Sequence, residues 1–235
     1  MKYIFLLATI GILAGCASNE TADSKDVNPS KIYQDYGYNW TSSGAYVTAA
    51  FRFGGENGTT LKFDDPGAVT YNGKPMEQAK YLAGGAYYAA DEKEYSPEHT
   101  WKFKDAAGKV YENSFHFERL EFKNTPEELV KGKDLFIELN RPVDAGEEIS
   151  FEASCDTIKS NEAMVSNNPD DLVYYSKSSQ QLIVKPAFFA GFPKEIPVSI
   201  WLEKNASKPK LEQPTDLPGE MHFSYQSAIA EIRLK

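Results

Sequence analysis

Residues 45–65 read Ala-Tyr-Val-Thr-Ala-Ala-Phe-Arg-Phe-Gly-Gly-Glu-Asn-Gly-Thr-Thr-Leu-Lys-Phe-Asp-Asp, and their period decides the fold class. Val47, Ala49, Phe51 and Phe53 fall on one side of an extended chain. The stretch Gly54-Gly55-Glu56-Asn57-Gly58 follows, and Leu61 and Phe63 return on that same side. Strand side chains alternate between two faces, so this is one hairpin with a single apolar face. Its turn is expected to place the positive φ at Asn57-Gly58, where Asn and Gly adopt it at little cost.

The same period recurs on either side. Trp101 and Phe103 lead into Asp105-Ala106-Ala107-Gly108, and Tyr111, Asn113, Phe115 and Phe117 come back. Val69 and Tyr71 precede Asn72-Gly73, and residues 81–88 supply another aromatic strand. Beyond residue 125, Leu135, Ile137 and Leu139 run into the turn at 141–146, from which Ile149, Phe151 and Ala153 return. Further strands are expected around 182–184, 196–202, 221–225 and 229–234, with prolines at their joints. Almost nothing carries helical period. One helical turn is expected at Thr125-Pro126-Glu127-Glu128, which has an N-cap, a Pro at the first helical position and a capping-box Glu before Gly132. The chain therefore reads as all-β, with one β-sandwich over 31–124 and a second over 125–235. The arrangement resembles the tandem immunoglobulin-like domains of bacterial cell-envelope proteins, a likeness of strand number and turn spacing. The Cys, Trp, Cys framework of antibody-type domains is absent. A single larger sandwich sharing one core is the alternative.

The chain has 235 residues, 34 acidic against 25 basic, with 41% hydrophobic and 13% aromatic residues, three His and two Cys. These values exclude a disordered tail and a disulfide scaffold, and the acidic balance argues against nucleic acid as a partner. At the N-terminus, Lys2 precedes an apolar run from Ile4 to Ala14 that is too short to span a bilayer, followed by Gly15-Cys16. Leu13-Ala14-Gly15-Cys16 resembles the lipobox of bacterial lipoproteins. The resemblance implies a signal peptide over 1–15, removal of that peptide, and lipid attachment at Cys16, with the membrane as partner through its acyl chains. Each buried methylene contributes about 0.8 kcal/mol, so several chains hold where one would not. Ala17 follows the Cys where an Asp would, by the same resemblance, retain the protein in the inner membrane, so an outer-membrane location is expected. Residues 16–30 read as a lipidated flexible tether, reaching on the order of 20 Å. An acylated Cys16 leaves Cys155 without an intrachain partner, and Cys155 follows Ile149, Phe151 and Ala153 in phase as a small buried hydrophobe.

Signatures of chemistry are sparse. The sequence lacks a Gly-x-Ser-x-Gly elbow, a His-Glu-x-x-His helix and a P-loop. No cofactor and no catalytic or metal residue is assigned. His99, in phase with Trp101 and Phe103, is expected at the sandwich edge. His116, between Phe115 and Phe117, is expected on the solvated face, and a three-His site would require His222 to join both. Asn167-Asn168-Pro169-Asp170-Asp171 is the best calcium loop by composition, with an Asx turn as the alternative. The pairs Tyr87-Tyr88 and Tyr174-Tyr175 must send one ring to each face of a strand, while Tyr33, Tyr36, Tyr38 and Trp40 cluster after the tether. Exposed aromatic rings suit sugars or protein partners. The functional expectation is a non-enzymatic envelope lipoprotein that binds a protein or a glycan. The alternatives are a carbohydrate hydrolase using paired carboxylates and a structural spacer.

Overall fold

Alternation becomes pairing in the structure, a computed structural model that describes residues 20–65, 67–80, 85–144, 147–208 and 210–235. The expected signal peptide and Cys16 lie outside the described residues. The strands are β1 (Thr21–Asp23), β2 (Ile32–Thr41), β3 (Gly44–Phe53), β4 (Thr59–Lys62), β5 (Val69–Tyr71), β6 (Lys74–Pro75) and β7 (Glu77–Lys80). Then come β8 (Ala86–Glu92), β9 (Glu98–Lys104), β10 (Val110–His116), β11 (Phe122–Asn124), β12 (Glu128–Leu129), β13 (Leu135–Leu139) and β14 (Glu148–Cys155). The last are β15 (Ile158–Met164), β16 (Val173–Ser176), β17 (Gln181–Val184), β18 (Pro197–Lys208), β19 (Glu220–Gln226) and β20 (Ala230–Leu234).

One large sheet runs β1-β4-β3-β2-β19-β18-β14-β15, with β8 also on β3 and β20 also on β18. Its inner face packs two smaller sheets, β10-β9-β5-β6 and β11-β13-β17-β16. The first core gathers Tyr36, Val47, Phe51, Trp101 and Phe103, and the second gathers Ile137, Phe151, Val184, Phe189 and Ile200. Leu211, Met221, Phe223 and Tyr225, far along the chain, pack in the first core. β19 reaches it by pairing parallel with β2, Phe223 opposite Tyr38. β18 serves both cores: Val198, Ile200 and Leu202 point into the second, and Ala206, on the same alternation, packs against the first.

Lys204 occupies the seam between them. Its ammonium donates to the Glu118 carbonyl (2.8 Å), pairs with Glu147 and lies 4.4 Å from the Phe117 ring centroid. Arg141 clasps Glu147 bidentately, Nη2 to Oε1 at 2.5 Å and Nη1 to Oε2 at 3.0 Å. Two cations share one carboxylate here, an arrangement whose value depends on every partner staying in place.

Several expectations change. Gly54 (φ 91°) and Gly55 (φ 132°) take the positive φ in the first turn, rather than Asn57-Gly58. Gly58 is required for another reason, since a Cβ there would lie 2.0 Å from the Phe53 carbonyl oxygen. The expected helical turn at 125–128 is overridden: Glu128 and Leu129 pair parallel with Arg233 and Leu234, and Leu129 is buried in the second core. Residues 135–139 and 148–155 are not partners in a hairpin. β13 and β14 belong to opposing sheets. Thr21–Asp23, within the expected tether, pairs with Thr60–Lys62, and Val27 packs against the first core.

Candidate functional site

The burial of alternate residues on β2 and β19 dictates what faces outward. With Tyr36, Tyr38, Met221 and Phe223 in the core, Asp35, Gly37, Asn39, Glu220, His222 and Ser224 must line the outer face. Register then joins five strands into one transverse row: Glu148 opposite Asn205, Asn205 opposite Ser224, Ser224 opposite Asn39, and Asn39 opposite Tyr46. Four interstrand steps make the row about 19 Å long. It lines a groove of about 520 Å³, to which Gly37, Thr48 and His222 also contribute. Gly37 keeps the floor low, because a Cβ there would lie 2.5 Å from Thr48 Oγ1. Tyr46 is 44% exposed, and its hydroxyl meets that of Tyr87 at 2.8 Å. The row offers amides, hydroxyls, one carboxylate and an aromatic face, a hydrogen-bonding set with little positive charge.

Beside the groove, Asp35 lies opposite Glu220. Arg52 Nη1 donates to Asp35 Oδ2 (2.9 Å), and Tyr33 Oη donates to Glu220 Oε1 (2.7 Å). His222 Nε2 lies 3.1 Å from Glu220 Oε2. The Tyr33 bond, aided by His222, holds the Glu220 carboxyl below its ordinary range. Glu220 is therefore an anion at neutral pH, unsuited to be the protonated acid that glycoside cleavage needs. Glu152 is pushed upward, first by burial and then by Glu203, but it does not line the groove.

The histidines do not form one cluster. His99 is fully buried, its Nδ1 2.6 Å from Tyr71 Oη, and burial drives it down to about 4. It lies inside the sandwich rather than at an edge. His116 is exposed on the solvated face, with Glu98 on Nδ1 (2.5 Å) and Glu118 on Nε2 (3.4 Å). His222 alone reaches the groove. In the acidic loop, Asn168 Oδ1 accepts from the Asp170 amide (3.1 Å) and Asn168 Nδ2 donates to Asp171 (3.4 Å), which is Asx-turn bonding. Cys155 is half-buried against the second core, Sγ 3.5 Å from Thr157 Oγ1, at the bend between β14 and β15. The aromatic pairs split as expected: Tyr88 and Tyr175 enter the cores, while Tyr87 reaches Tyr46 and Tyr174 lies under Lys185. Of the cluster after the tether, Tyr33, Tyr36 and Tyr38 are buried and Trp40 packs edge-on against Tyr95.

Sequence reasoning missed Asn39, Asn205 and Ser224 as site residues. Each was legible as the polar phase of an alternating strand. Their meeting depends on the parallel β2–β19 pair, which no local pattern encodes.

No protein-family model and no curated protein matches the chain. Among solved structures, it resembles the chicken CNTN1 FN1–FN3 domains at 8% identity and a TM-score of 0.26, covering 86% of this chain and 65% of that one. Murine CEACAM1b aligns at 12% identity and 0.25, covering 87% of this chain and 100% of that one. The Bacteroides ovatus mixed-linkage glucan utilization locus protein SGBP-B, in complex with a mixed-linkage heptasaccharide, aligns at 9% identity and a TM-score of 0.25, covering 99% of this chain and 68% of that one. The chain thus spans just under two thirds of the CNTN1 fragment. Overlap at these scores carries no function across.

Proposed function

We propose that this chain is a non-enzymatic binding module of the bacterial cell envelope, anchored by acyl chains on Cys16, which takes an uncharged glycan in the groove. The observation that carries this reading is the row Glu148, Asn205, Ser224, Asn39 and Tyr46. Amides and hydroxyls at strand spacing match the donors and acceptors of successive sugar hydroxyls, and the exposed Tyr46 ring supplies the apolar face on which a sugar stacks. Acidic neighbours at Asp35, Glu148 and Glu220 disfavour anionic chains. The two cores are read as immunoglobulin-like modules that present this shared outer face. The leader and Ala17 support an outer-membrane location.

The test is a panel of immobilised neutral and acidic polysaccharides probed with the full chain and with Tyr46→Ala. Retention by a neutral glycan that falls at least tenfold in the variant supports the reading. Equal retention of both proteins, or retention by acidic chains alone, overturns it.

A second reading, contact with a protein partner, has its own observation. On the outer face of the second small sheet Phe136, 52% exposed, lies opposite Ile183, which lies opposite Tyr174. Loss of a captured envelope protein on Phe136→Asp, with glycan retention intact, would favour it.

A further inference from the structure

Asp35 and Glu220 point the same way from directly opposed positions on neighbouring strands, a like-charge pairing that is unfavourable without a counter-cation. Arg52 forms its ion pair with Asp35 and acts on Glu220 only at longer range. His222 follows two residues after Glu220, opposite Gly37. One ligand atom from each of Asp35, Glu220 and His222 lies within 4.8 Å of the others, an arrangement found once among the described residues.

The outer hydrogen bonds turn this proximity into a site. Tyr33 Oη holds Glu220 Oε1, and Oε2 is left facing His222 Nε2; Arg52 likewise holds Asp35 Oδ2. Donors behind the carboxylates fix their orientation, as the outer shell of a metal centre does. At His116 the two carboxylates lie on opposite ring nitrogens and cannot meet at one ion.

We propose that Asp35, Glu220 and His222 bind one divalent transition ion of the zinc class at the end of the groove. One imidazole and two carboxylates are a borderline donor set that suits zinc and its first-row neighbours. Three protein ligands leave a coordination position open, next to the groove that His222 also lines. Two carboxylates face one guanidinium here, which leaves room for the charge of a bound cation.

The test is titration of the full chain, without a polyhistidine tag, with zinc by calorimetry and with cobalt by visible absorption. One equivalent should bind, with a cobalt spectrum of mixed nitrogen and oxygen ligation. His222→Ala and Glu220→Gln should each weaken binding at least tenfold, and His116→Ala should leave it unchanged. His222 is exposed, so its variant is expected to fold, as circular dichroism checks. Absence of saturable binding would make the trio an internal ion pair only and overturn the site. Wild-type affinity in His222→Ala, or loss in His116→Ala, would also overturn it. The ion alone is the probe, so the outcome is independent of whether the groove takes glycan.

Discussion

Replacing Glu147 by Gln tests how the two cores are held together. The carboxylate is 13% exposed, is clasped by Arg141 and Lys204, and accepts the Asp144 amide at 2.9 Å. Burial alone would raise its pKa, but the bonds from Arg141 and Lys204 outweigh burial and bring it from 4.5 to about 2. At about 1.4 kcal/mol per pH unit, that difference stabilises the fold by about 3 kcal/mol at neutral pH. A similar figure follows from the cation left behind, since Lys204 is only 5% exposed and removing one partner of a buried pair costs about 3–5 kcal/mol. Because the folded carboxyl titrates below the unfolded one, the stabilisation is complete above about pH 5 and lost as pH falls toward 2. Urea unfolding of wild type and Glu147→Gln at pH 7 should differ by about 3 kcal/mol, and by less than about 1 kcal/mol at pH 2. A gap below about 1 kcal/mol at pH 7, or one that stays constant with pH, would refute the reasoning. Pairing Glu147→Leu with Lys204→Met should recover only part of the loss, because Arg141, 13% exposed, then loses its bidentate partner and keeps only Asp144 and Glu118.

Other expectations follow from individual side chains. Gly37→Ala should cost about 1–3 kcal/mol in urea unfolding because its Cβ meets Thr48 Oγ1, and Thr48→Ala in the same chain should relieve it. Glu152→Gln should stabilise by about 0.2–1 kcal/mol at pH 7. The raised carboxyl favours the fold only at pH low enough to keep it protonated, and wild type should approach the variant in acid. His99→Phe should flatten the stability profile between pH 6.5 and about 4, where the unfolded imidazole takes up a proton that the buried ring cannot. Intact-mass spectrometry of membrane-extracted protein should find a chain starting at an acylated Cys16, and a bare thiol there would remove the anchor from the account.

Local order was well marked in the sequence. The period of Val47, Ala49, Phe51, Leu61 and Phe63 delivers a buried face, although Phe53 in the same phase reaches solvent at the strand end. Asn72 (φ 45°) and Gly73 (φ 77°) form the tight turn after β5 as their chemistry suggests. Connectivity was not legible. The β2–β19 pair joins residues nearly two hundred positions apart, and nothing in either strand names its partner. Leu129 shows the same limit in reverse. Good capping residues lost to a buried side chain and two ladder partners, because tertiary burial outweighs a single helical turn. The groove inherits both lessons: its residues were visible as the polar phase of several strands, and its existence depended on which strands met.

The most direct test of the groove as a binding surface is hydroxyl-radical footprinting of the full chain with and without the glycan retained in the panel. Tyr46 and His222 should be protected from oxidation while Phe136 and Tyr174, on the second small sheet, react as before. Protection of Phe136 and Tyr174 with Tyr46 and His222 unchanged would contradict the account.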